Sequence, residues 1–227
     1  MERKEAIRSA YRLTGGNNFY DGMITCSTLS GKAVCRLVWD MNKVENDAYL
    51  EKAMSGIPEY FSGKLLEVPV GTGILTTPLY QMLPDADITC LDYSTDMMGQ
   101  AQEKADRLHL KNVTFRQGDV GVLPYADDTF DIVLSLNGFH AFPDKEAAYW
   151  EVFRVLKPGG TFCGCFYVKG EHKRTDWFVR HVYEKAGFFT PPYETVSSLK
   201  ARLDGMYTDV DMGNLKSMAW FACRKAG

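Results

Sequence analysis

Hydrophobic positions in this chain change their spacing near residue 64. In Lys64 to Gly73 (KLLEVPVGTG), Leu65, Leu66, Val68 and Val70 form a short apolar run bounded by turn residues. A run of that kind reads as a buried strand of a parallel sheet. It ends in Gly71-Thr72-Gly73 and passes into a helical pattern. From there strand and helix patterns alternate. Ala86–Tyr93 (ADITCLDY) predicts a second strand, and Ser94 can cap a helix running to about Leu108 with Asp96 in its first turn. Asn112–Asp119 and Thr129–Leu136 predict a third and a fourth strand. Asp144 caps another helix, with Ala148, Val152, Val155 and Leu156 on one face. Lys157-Pro158-Gly159-Gly160 ends that helix and turns the chain, and Thr161–Val168 predicts a fifth strand.

Five strands separated by helices imply a parallel sheet covered on both faces. Beyond it, Thr175–Ala186 and Ser197–Met206 read as helices. Tyr207–Asp211 and Met218–Arg224 read as strands close enough to form an antiparallel hairpin. Residues 1–62 contain no complete strand–helix unit. They are rich in aromatics and methionine, including Tyr11, Phe19, Tyr20, Met23, Trp39, Met41 and Tyr49. They are expected to form a helical cap across the top of the sheet, over the active site of the main domain, residues 63–227. The plainer alternative for most of these side chains is simple cover of a sheet face.

Composition narrows the class. The chain has 227 residues, 45% hydrophobic and 24% charged, which suits a globular α/β protein. No stretch approaches the roughly 20 apolar residues of a membrane span, and no signal-peptide pattern follows the charged N-terminus. A cytoplasmic location is the default expectation. Net charge is −3 and there is no basic run, so a nucleic-acid partner is not expected. The six cysteines, Cys26, Cys35, Cys90, Cys163, Cys165 and Cys223, form no Cys-x-x-Cys pair. They read as buried free thiols rather than metal ligands or redox pairs.

In an open parallel sheet, ligands bind beyond the carboxyl ends of the strands. Four such ends carry suitable residues here. Gly71-Thr72-Gly73 lets a ligand approach the backbone. Asp92, 19 residues after Gly73, can accept both hydroxyls of a ribose. Gly118-Asp119-Val120 can hold an adenine edge, and Asn137-Gly138-Phe139-His140 flanks the reactive end. Glu67 lies inside the first strand, where an unpaired carboxylate is costly and implies a ligand or partner. A nicotinamide fingerprint needs a third glycine where Thr76 stands, and no phosphate loop is present. A carboxylate in strand one suits a ligand with an amino group rather than a pyrophosphate, which favours S-adenosylmethionine.

Residues 64–168 resemble the Rossmann-like (class I) S-adenosylmethionine-dependent methyltransferases, particularly the group with small-molecule and quinone methyltransferases. The resembling segments are LLEVPVGTG, Asp92 in LDYS, GDVGVLPYADDTFDIVLSLNGFHAF and the turn LKPGG. The resemblance implies a doubly wound, seven-stranded sheet, parallel but for an antiparallel last strand, with helices on both faces. It also implies cofactor contacts. Glu67, Gly71 and Gly73 would line the methionine portion, with Pro69, Val70 and Thr72 beside them. Asp92 would bind the ribose, next to Tyr93, Ser94 and Met97. Gly118, Asp119 and Val120 would take the adenine. Asn137 would flank the sulfonium through its backbone, with Gly138 beside it, and Tyr20 would be a further cofactor contact. Pro69 stands where the family usually has a glycine, and could shift the cofactor's carboxylate.

Strand four ends in LSLNGFH. It lacks the Pro-Pro motif of many amino-group enzymes, a following Pro-Cys nucleophile, and the metal-binding Asp of catechol-type enzymes. A metal-free transfer to a small molecule is the reading that remains, by a monomer or homodimer. His140 is the candidate base, since an unperturbed imidazole titrates at about 6.5. Its alternative is a histidine that hydrogen-bonds locally and shapes the pocket. Tyr20, Met23 and Trp39 on one side, and His172, Trp177, Phe178, His181 and Tyr193 on the other, are substrate-pocket candidates. Two alternatives stay open: a non-catalytic protein binding the same cofactor, and an NAD-linked oxidoreductase.

Overall fold

The computed structural model describes residues 19–227. Tyr11 and the side chain of Phe19 lie outside the described residues. A seven-stranded sheet forms the centre, in the order β3-β2-β1-β4-β5-β7-β6. Its strands are β1 (Lys64–Glu67), β2 (Asp87–Asp92), β3 (Val113–Gln117), β4 (Phe130–Leu136), β5 (Leu156–Tyr167), β6 (Thr208–Leu215) and β7 (Met218–Arg224). Strands β1 to β5 pair in parallel, and β7 runs antiparallel to both β5 and β6. This is the architecture the resemblance implies.

Side-chain alternation along the strands builds two cores. Leu66, Val133 and Phe162 enter one cluster, with Tyr149, Val152, Leu199 and Leu203. Their chain neighbours Leu65, Ile132 and Cys163 enter the opposite cluster, with Tyr49, Leu50, Ala53 and Tyr80. The period of two in a strand makes this division obligatory.

Several of the helices start at local capping groups. Before the sheet lie α1 (Phe19–Ile24), α2 (Leu29–Val34), which continues as a π-turn over Cys35–Trp39, and α3 (Lys43–Met54). Asn42 and Glu45 form a reciprocal capping box on α3. Helix α4 (Thr77–Gln81) follows β1. Helix α5 (Thr95–Arg107) begins where Ser94 Oγ accepts from the Met97 amide, and α6 (Lys145–Val155) where Asp144 accepts from the Ala147 amide. Helix α7 runs through Lys173–Phe178, a π segment over Val179–Tyr183 and Glu184–Ala186, and α8 covers Val196–Met206. No helix among the described residues is long and apolar enough to cross a membrane.

Three local expectations differ. Strand β1 stops at Glu67, short of the apolar run, because Val68 and Val70 bond in opposite directions. The Val68 amide donates to Leu134 O at 2.9 Å and the Val70 amide to Leu91 O at 3.0 Å. Pro69 lies between them, at a position that needs no donor, and its peptide bond is cis. The Lys157–Gly160 turn is absorbed into β5 as an irregularity, since Leu156 already pairs with Phe130 and regular pairing resumes at Thr161 with Ile132. Finally, Cys26 and Cys35 are joined in a disulfide with Cα atoms 6.4 Å apart, whereas the other four cysteines are buried and free. The turn from α1 into α2 brings this pair together, and spacing in the chain gave no sign of it.

Candidate functional site

The sheet order reverses between β1 and β4, and a cleft opens to solvent beyond their carboxyl ends. Of the expected cofactor residues, Tyr20, Glu67, Pro69, Val70, Gly71, Thr72, Gly73, Asp92, Tyr93, Ser94, Met97, Gly118, Asp119, Val120 and Asn137 line it. Gly138 does not. It lies behind Pro69, where an added Cβ would come within 2.4 Å of the proline Cδ.

The glycine turn is held by Asp92. One carboxylate oxygen accepts the Gly71 amide and the other the Ser94 amide, each at 2.8 Å. The same carboxylate therefore joins the β1 turn to the start of α5. Burial pushes it up to about 6, against the pull of those amides. Gly71 and Gly73 have φ of 57° and 68°, in the region where glycine carries no steric penalty. At Gly73 a side chain would also meet Ala101 of α5.

Glu67 finds a partner within the chain. Tyr80 of α4 donates its hydroxyl to Glu67 Oε2 at 2.7 Å, and the Cys90 thiol lies at 3.6 Å. Burial pushes the Glu67 carboxyl up to about 8, so it holds a proton at neutral pH until a cation faces it. At the far end, Asp119 accepts the Gly121 amide at 3.0 Å. Asn137 has φ of 56°, tolerated by asparagine. Its backbone follows β4 into the cleft, while its side chain bonds Tyr49 of α3.

Sequence reading missed several wall residues, notably Ile24, Leu75, Thr76, Phe142 and Pro143. Phe142 and Pro143 follow β4 in the same loop as His140, so position in the chain was a usable signal. Nothing in the sequence joins Tyr80 to Glu67.

His140 is absent from the cleft wall. It is buried, its ring stacks on Phe189 at 3.9 Å, and its Nδ1 accepts the Tyr167 amide at 3.2 Å. Burial and the nearby Lys145 charge push it down to about 3, so the ring stays neutral. The substrate candidates other than Tyr20 also lie outside the cleft-lining set. Trp39 and Tyr193 join Tyr167 and Phe189 in one aromatic cluster. Met23 sits half-buried on α1. His172 precedes α7 and bonds Thr175, and exposed Trp177 stacks on His181.

Electrostatically the cleft is one-sided. Glu67, Asp92 and Asp119 line it, and no lysine, arginine or histidine does among the described residues. Its other walls are apolar or backbone. A cationic, adenosine-like ligand fits this set, whereas a pyrophosphate would meet carboxylates with no counter-charge.

Fold and cleft together define a doubly wound α/β domain built around a nucleoside-type ligand. The chain belongs to the methyltransferase-domain family: residues 62–203, more than half of it, match the family described as "Methyltransferase domain". It is 37% identical over 97 residues to a demethylmenaquinone methyltransferase of Thermus thermophilus, covering 43% of this chain and 44% of that one. It is 32% identical over 131 residues to the ubiquinone/menaquinone biosynthesis C-methyltransferase UbiE of Shewanella halifaxensis, covering 57% and 51%. The matched stretch thus spans about half the length of these curated relatives. Among solved structures, phosphoethanolamine N-methyltransferase 2 of Haemonchus contortus, in complex with S-adenosyl-L-methionine, superposes with a TM-score of 0.67 at 15% identity, covering 92% of this chain and 60% of that one. The [4+2]-cyclase SpnF superposes with a TM-score of 0.65 at 18% identity, covering 80% and 81%. One fold therefore serves more than one reaction, and the site must decide.

Proposed function

We propose that the chain transfers a methyl group from S-adenosylmethionine to a small, apolar acceptor without a metal. The observation that carries this reading is the acidic cleft with no basic lining residue among the described residues. When bound, S-adenosylmethionine supplies an electrophilic methyl group on a sulfonium. Glu67, ionised by the approach of a cation, would hold the ligand's ammonium. The Gly71–Gly73 turn would border its amino-acid end. Asp92 would offer its remaining lone-pair capacity to the ribose hydroxyls alongside its bonds to backbone amides. Asp119 and Val120 would border the adenine, and the backbone of Asn137 the sulfonium side.

In-line displacement needs position and exclusion of water more than acid–base chemistry. Ile24, Leu75, Phe142 and Pro143 give the cleft an apolar wall suited to a flat, greasy acceptor. The names of the related quinone methyltransferases agree with an acceptor of quinol type. We assign His140 to the supporting wall rather than to proton removal, so the acceptor's own acidity would supply its nucleophile.

Calorimetric titration with S-adenosylmethionine, S-adenosylhomocysteine and NAD tests the cofactor. Binding of the first two and not the third is expected; NAD binding alone overturns the proposal. A methyl-transfer assay over a panel of quinols, phenols and amines then tests catalysis. Cofactor binding with no transfer to any acceptor would leave a non-catalytic binder.

A further inference from the structure

Helix α1 is tied to the ligand-facing turn by contacts that the methyl-transfer reading leaves unused. One carboxylate oxygen of Asp21 accepts the Thr72 hydroxyl. The other lies 3.0 Å from Lys104 Nζ, and that ammonium also donates to Thr72 O at 3.0 Å. Three elements meet there: α1, the glycine turn after β1, and α5. The Asp21 and Lys104 side chains are each only 18% exposed, so water screens the pair less than a surface ion pair.

Other residues of α1 face the cleft or the hairpin with α2. Tyr20 and Ile24, on either side of Asp21, line the cleft. Gly22 and Gly31 bring α1 and α2 into backbone contact, since a Cβ at Gly31 would fall 2.0 Å from Gly22 O. The Cys26–Cys35 disulfide closes the same hairpin, and Asn46 of α3 donates to Ile24 O at 3.0 Å. The hairpin is thus braced as one piece, and Asp21 pins that piece to the turn that cradles the ligand.

We propose that Asp21 is a positioning residue: held by Thr72 and Lys104, it latches Tyr20 and Ile24 over the cleft, so cofactor retention and closure of the α1–α2 hairpin are one event. The proposal rests on the S-adenosylmethionine reading of the cleft. By linkage, whatever loosens the latch weakens the ligand, and the bound ligand tightens the latch by the same factor.

The test uses the full chain with Asp21→Asn, Asp21→Glu and Lys104→Met. Two quantities are measured: the S-adenosylhomocysteine dissociation constant, and the rate of tryptic cleavage after exposed Lys32 on the hairpin, with and without that ligand. Asp21→Asn and Lys104→Met should each weaken binding about tenfold, as expected for loss of a charge-assisted hydrogen bond. Both should speed cleavage at Lys32 while the melting temperature of the main transition stays near wild type. Asp21→Glu should restore much of both, which a merely structural role would not require. Wild-type affinity and wild-type cleavage in Asp21→Asn would overturn the latch and leave the proposed function standing. A wild-type chain that does not bind S-adenosylhomocysteine would overturn the function, and the latch with it.

Discussion

Pro69 and Gly138 are packed against each other so closely that a side chain at 138 would collide with the proline ring. An added Cβ would lie 2.4 Å from Pro69 Cδ, and also 2.6 Å from the Phe142 ring and 2.9 Å from Ser135 Oγ. The departure from the family pattern at position 69 is thus accommodated at the end of β4, in a residue that does not itself line the cleft. Gly138→Ala is expected to destabilise the fold by about 1–3 kcal/mol through overpacking. Pro69→Gly in that background should recover part of the loss, with a coupling of about 1 kcal/mol. Urea denaturation of the four-member cycle measures it, and strictly additive effects would refute the contact.

Glu67 sets a pH dependence with a definite sign. Its carboxyl is pushed up to about 8 in the fold, from an ordinary 4.5. Between those values the native chain keeps a proton that the unfolded chain has released. Its contribution is therefore fully present below 4.5 and is lost as pH rises through 8. Asp92, pushed up to about 6, acts in the same sense at lower pH. His140, pushed down to about 3 from 6.5, acts oppositely, its contribution being lost as pH falls below 6.5. Of these three groups, Glu67 makes the largest change between pH 6.5 and 8, with the upper tail of the His140 titration opposing it. Wild-type stability should fall there by on the order of 1 kcal/mol, and Glu67→Gln should remove the fall.

The same carboxyl predicts proton release on cofactor binding. A cation facing Glu67 favours its ionised form, so at pH 7 the bound state should hold fewer protons. Calorimetry in buffers of different ionisation enthalpy should show net release for wild type and little for Glu67→Gln. Identical heats after buffer correction would remove Glu67 from contact with the ligand's charge.

His140 accepts the Tyr167 amide and stacks on Phe189. His140→Ala leaves a buried N–H unpaired and opens a gap, at a cost of about 2–4 kcal/mol. With an acceptor identified from the panel, turnover of the folded variant should stay within about tenfold of wild type. A loss of about a hundredfold or more, the scale of general-base catalysis, would return the base role to this residue.

Much of the fold was legible because its rules are local. Apolar runs, Ser94 and Asp144 as caps, and the glycine turn after β1 mark elements whose order dictates a parallel sheet. The closing hairpin was readable from two nearby strand patterns, with Met218–Arg224 placed as expected and its partner running on past Asp211 to Leu215. Asp92 and Asp119 were readable as cleft residues because strand ends in such a sheet point to one side.

The sequence by itself determined the strand ends, the acidic character they bring to the cleft, and the departure at Pro69. Only the tertiary structure decided how those groups are partnered. Tyr80 on Glu67, Asp21 on Thr72, Gly138 behind Pro69 and the Cys26–Cys35 bond all join elements that no local pattern relates. His140 shows the same limit: its place in the chain puts it beside the reactive end, yet packing against Phe189 buries its ring outside the cleft wall. A backbone's course follows from local periodicity, but the side on which a loop side chain finds room depends on the neighbours that folding brings to it.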